Sequence, residues 1–144
     1  MMTMGMKRGV RLSVVVAIAV GLPLVAAAQS RLPALAQDPR VQSEFLAGAV
    51  GEEIAKNCES LAPRMLVVVR RIMALESHAR GMGYTSEDIR ALRRSEAARA
   101  ELRAQRNAYL ARRGVVQGQP ETYCRLGREE IRNGTLIGSL LRTV

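Results

Sequence analysis

Apolar residues recur along most of this chain with the spacing of one helix face, and they never alternate long enough to argue a sheet. Asp38-Pro39 supplies a cap followed by proline at the first helical position, which predicts a helix start. Along that helix Leu46, Val50, Ile54 and Cys58 return every fourth residue, with Glu52, Glu53 and Lys56 on the other side. Cys58 should therefore point inward. Phe45 falls off the stripe toward Glu52 and Lys56, either packing under the preceding arm or meeting a partner.

Ser60 to Arg80 is the most apolar stretch after the N-terminal segment. Met65, Val68, Val69, Ile72, Leu75 and Ala79 share one broad face, which predicts the central helix of the core, ending at Gly81-Met82-Gly83. The single histidine, His78, lies opposite with Arg70, Arg71 and Ser77 and reads as solvated. Thr85, with Glu87 and Asp88 behind it, signals the next start, and Ile89 and Leu92 face inward. The pattern slips at Ser95, where a fresh cap opens a helix running to Arg113 and closing at Gly114. On it Ala98, Leu102 and Tyr109 form an apolar seam flanked by Arg99, Arg103, Arg106 and Arg113. Pro120 opens a last long helix with Tyr123, Gly127 and Ile131 inward, where Gly127 lets a neighbour approach closely. It ends at Asn133-Gly134, and Thr135 caps a short terminal helix bearing Leu136, Ile137, Leu140 and Leu141.

The expected fold is an all-α, single-domain bundle of about five helices over residues 39–144, preceded by a short lead-in arm at 29–38. Residues 1–28 read as a cleaved signal peptide. Lys7, Arg8 and Arg11 precede an apolar run from Val14 to Val20, Gly21-Leu22-Pro23 breaks the helix, and Ala26-Ala27-Ala28 offers the cleavage site. The mature protein would be periplasmic or secreted. The alternative is an inner-membrane anchor at residues 12–28, a segment just long enough to span.

Charge changes the picture less than it first suggests. The chain carries 22 basic and 13 acidic residues. Its excess is nearly all arginine, and an exported protein rarely meets nucleic acid, so no nucleic-acid partner is expected. An acidic protein or an anionic membrane surface suits the compartment better. Arg99, Arg103, Arg106 and Arg113, with Phe45, are the candidate interaction surface; the plainer reading of the stripe is a solvated helix face. No Trp, one Phe and three Tyr argue against stacking sites for sugars or bases.

Two cysteines, Cys58 and Cys124, lie in the mature part, and in an oxidising compartment they read as one structural disulfide. Neither a Cys-x-x-Cys spacing nor a histidine set exists, so no metal and no cofactor is expected. No nucleophile with its base, phosphate loop or haem motif is present, and Glu129 and Glu130 diverge by about 100° on a helix. The expectation is a protein that is not an enzyme.

Several blocks carry a resemblance: Asn57-Cys58, Gly83 to Ile89, Ala108 to Val115, Thr122 to Gly127 and Gly134 to Leu141. In that order, with both cysteines in place, the chain from about Pro39 to Arg142 resembles a family of small exported alphaproteobacterial proteins of unknown function. The resemblance implies an exported helical domain and brings no activity. The function expected is an interaction or accessory subunit of a cell-envelope complex with a protein partner. The alternative is a periplasmic chaperone or a module for small apolar ligands. An apolar groove at the surface would favour the second, and a closed, charged exterior the first.

Overall fold

The computed structural model describes residues 24–144, with side chains from Arg31 onward. Residues 1–23, with most of the expected signal segment and anchor, lie outside the described residues. Among the described residues the protein is all-α with one very small sheet. In chain order it has α1 (Leu24–Gln37), α2 (Pro39–Asn57), β1 (Leu61–Pro63), α3 (Met65–Gly81), α4 (Ser86–Arg94), α5 (Glu96–Arg112), α6 (Pro120–Arg132), α7 (Leu136–Ser139) and β2 (Leu141–Thr143).

The caps behave as the sequence predicts. Asp38 accepts from the backbone N–H groups of Arg40 and Val41 ahead of Pro39, and Ser95 and Thr135 cap α5 and α7. Thr85 and Asp88 satisfy each other's backbone N–H groups in a full capping box. The lead-in arm differs from expectation, because Gln29–Gln37 is the second part of α1. Its Leu35 is buried and Leu32 half-buried, so tertiary packing organises a stretch whose own periodicity is weak.

The main core gathers Val50 and Ile54 of α2 and Cys58 at its C-terminal cap with Leu61, Leu110, Tyr123, Leu126, Ile137, Leu140 and Leu141. A smaller cluster joins Leu35, Val41, Leu75, Ala79, Ile89 and Leu92 under α1, α3 and α4. Helix α2 contributes to both, which makes it the central helix. Helix α3, the expected centre, lies at the periphery and buries only Leu75 and Ala79. The apolar run of α3 is longer than the surface its neighbours offer it.

Close approach in the main core depends on two glycines. A Cβ on Gly127 would meet Leu61 and Ile54, the approach its position predicts. A Cβ on Gly138 would overlap the backbone carbonyl of Glu130, so α7 can sit on α6 only without one. Cys58 and Cys124 form a disulfide between the end of α2 and α6. Strands β1 and β2 pair antiparallel, Leu61 with Thr143 and Pro63 with Leu141, and tie the C-terminus beside that staple. Three residues each are too few to carry a legible alternation.

Candidate docking site

Arg99, Arg103 and Arg106 of α5 and Arg113 at its C-terminal cap share a face, but the fold supplies carboxylates to all four. Arg99 and Arg103 both reach Glu96. Arg106 pairs with Glu53 of α2 at 3.0 Å, both side chains being largely covered. Arg113 reaches Glu129 at 2.8 Å and Glu130 at 3.4 Å. The stripe is thus bound to internal carboxylates at each position. Phe45 is half-buried against the smaller cluster, on which Leu32 and Ala36 of α1 also pack. It also borders the cleft between α2 and α3, so its position is compatible with both of its expected placements.

A polar node that the sequence did not disclose holds α5, α6 and α7 together. Glu130 is 1% exposed, and its carboxylate accepts from the Tyr109 and Thr135 hydroxyls beside Arg113. Burial, then the bond to Glu130, pushes the Tyr109 phenol from 10.0 up to about 12. Glu130 recurs in phase with Tyr123 and Leu126 on the inward side of α6, which is the signal that could have found it. Every acceptor there is engaged within the fold, so the node is a brace between helices.

The uncovered surface is on α3. Met65 is 60% exposed, Leu66 78%, Val69 48%, Ile72 41% and Met73 63%. At 100° per residue these five fall within an arc of about 120°. Two polar clasps hold the helix while that face stays open. Arg71 donates twice to Glu44 of α2, at 2.9 and 2.7 Å. His78 lies 3.1 Å from Asp38, so it is engaged with the α2 cap and is not the solvated residue its helical position suggests. The Asp38 carboxyl is held below its ordinary value, first by the Val41 N–H and also by His78.

Between α2 and α3 runs an open cleft of about 660 Å³. Phe45, Val68, Ile72 and Leu75 wall it, Gly48 and Gly51 line the α2 side, and Leu140 and Leu141 close one part. Beyond the adjoining backbone of α2 itself, nothing lies within 4 Å of where a Gly48 Cβ would be. The charged residues of the lining, Glu44, Glu52 and Glu76 against Lys56, Arg71 and Arg93, balance in sign. Lys56 and Glu52 pair with each other at 2.7 Å. A charge-balanced apolar cleft suits an uncharged apolar guest or an apolar side of a helix. Among the described residues no group of three or more His, Cys, Asp or Glu is placed to hold a metal ion, and no helix is long and apolar enough to cross a membrane.

Compared with known proteins, residues 33–142 match the model of a family of unknown function, DUF5333. No curated protein and no solved structure matches the chain.

Proposed function

This chain belongs to the family of unknown function DUF5333, and we propose that it is an exported, non-catalytic binding module of the cell envelope whose acceptor is the α2/α3 cleft. The open groove and the exposed α3 face meet the criterion for a chaperone or apolar-ligand module and not for a closed, charged docking subunit. The occupant in this reading is therefore an apolar helical segment of a client or partner protein held in the groove. The observation that carries it is the open cleft beside an incompletely covered apolar helix, on a domain whose arginine stripe is already paired internally. Clefts of this kind take one face of an amphipathic helix through anchors one turn apart.

Export agrees with the way α1 is anchored. Cleavage after Ala28 would leave Gln29–Gln37 of α1, which keeps the buried Leu35 and the half-buried Leu32. A disulfide between Cys58 and Cys124 suits an oxidising compartment. Sequencing the N-terminus of the protein isolated from its own cells should therefore read from Gln29. An intact N-terminus would replace the exported reading with the anchored one.

The cleft is tested by placing a photocrosslinking residue at Ile72 in the native cell and comparing the parent protein with Gly48→Leu, which fills the open space beside α2. One stoichiometric protein adduct that disappears in Gly48→Leu supports the reading. A second reading, a carrier for small apolar molecules, is favoured by the cleft volume, which falls within the usual range for small-ligand sites. Adducts to lipid-like small molecules alone, equally sensitive to Gly48→Leu, would establish that reading instead.

A further inference from the structure

We propose that the outer ridge of α3 is a seat for an anionic membrane surface, independent of whatever fills the cleft. The ridge consists of Leu66, Val69 and Met73, none of which lines the cleft, with Met65 at its edge. It projects outward instead of forming a pocket, and Leu66 to Met73 covers about 10 Å of helix at 1.5 Å per residue. Four large apolar side chains stand exposed together on one helix face, and contiguous exposed apolar surface is the mark of an interaction site. A convex apolar ridge fits a fluid, deformable apolar phase without a matching groove.

Charge decides between the possible covers. Arg64 precedes the ridge, and among the described residues its guanidinium donates to the Ser139 carbonyl alone, as that of Arg70 on α3 does to the Leu66 carbonyl. Arg142 pairs across the small sheet with Ala62, two residues before Arg64, and is exposed. None of the three has a carboxylate within ion-pair distance among the described residues, whereas Arg71 and Arg80 do. The nearest acids along the chain are Glu59, before β1, and Glu76, already paired with Arg80 beyond the far end of the ridge. A second copy of the chain would bring the same apolar-and-arginine surface against itself, like charge beside like. An anionic bilayer accepts both parts: apolar tips enter the interface while the arginine stems lie along it and their heads meet lipid phosphates.

The test uses the full chain with a nitrobenzoxadiazole fluorophore on Leu66→Cys, or on Ala104→Cys of α5 as the remote reference. Both native cysteines are in the disulfide, so the introduced thiol is the one that labels under non-reducing conditions. Any adsorption by the N-terminal apolar segment is common to both proteins, and the local signal is what discriminates. With vesicles containing phosphatidylglycerol, emission at position 66 should rise and shift to the blue, while position 104 stays aqueous. High salt should reverse the change, and Arg64→Ser and Arg70→Ser should each weaken binding about fivefold. Pure phosphatidylcholine should give little signal. An aqueous signal at 66 on the anionic vesicles overturns the proposal, as does an equal response to phosphatidylcholine. A change that follows protein concentration without vesicles also overturns it, in favour of a second copy as the cover.

Discussion

At the scale of single residues, the telling contacts are polar and lie between elements. Glu130 is buried and takes hydroxyl donors from two other elements, so Tyr109→Phe leaves one carboxylate oxygen with only the longer Arg113 contact at 3.4 Å. That change should cost about 1–3 kcal/mol in denaturant unfolding. The same phenol gives a signature in alkali. Its native value near 12 lies above the unfolded 10, so the folded state holds its proton longer. The stabilisation is complete below about pH 10 and is lost as pH rises toward 12, and a Tyr109→Phe protein should lack this component. At the acid end Asp38 acts in the opposite sense: its native value is lowered, so its contribution is present above the unfolded value and is lost as pH falls below it. Asp38→Ala should cost about 1 kcal/mol as a lost helix cap and flatten the acid limb of the stability profile. Thermal unfolding across pH for the parent and both variants checks the two signs together.

At the scale of elements, capping chemistry was legible in the sequence because it is local. Asp38, Thr85, Ser95 and Thr135 each accept from a backbone N–H two or three residues on, and each was readable as a start. Coverage was not legible. Periodicity states which residues of α3 share a face, but whether a neighbour covers that face depends on how much surface the other elements have left. Met65, Val69 and Ile72 consequently read as core and stand exposed. The pairing of Arg106 and Arg113 was not legible for a related reason, since Glu53 and Glu129 arrive from α2 and α6, whereas Glu96, which holds Arg99 and Arg103, lies on α5 itself. Two glycines separate tight packing from open space and should respond in opposite ways. Gly138→Ala forces a methyl into the Glu130 carbonyl, where backbone must shift, and should destabilise by about 3 kcal/mol or more. Gly48→Leu meets open space in the middle of α2 and should stabilise by roughly 0.5–1 kcal/mol through helix propensity while blocking the cleft. Equal losses of stability in the two variants would contradict the assignment of the cleft as open.

At the scale of the molecule, the expected single bundle resolves into two apolar clusters joined by α2, and the disulfide serves them unequally. The staple sits in the main core with Leu61, Tyr123 and Leu126, 66 residues apart in sequence. The loop it closes contains α3, α4 and α5. On the chain-entropy account, closing a loop of that length stabilises by roughly 4 kcal/mol, a large share of what a domain of this size has in total. A Cys58→Ala/Cys124→Ala protein should therefore melt on the order of 15 °C lower. The two clusters make the course of that melting informative. Val41, Leu75 and Ile89 pack at the other end of α2, so a cooperative protein should lose helix signal and the environment of a probe on α3 at the same temperature. If the α3 probe releases first in the parent protein and the helix signal follows, α3 is a separately opening unit held mainly by the Glu44 and Asp38 clasps. The cleft would then widen and close without the main core taking part.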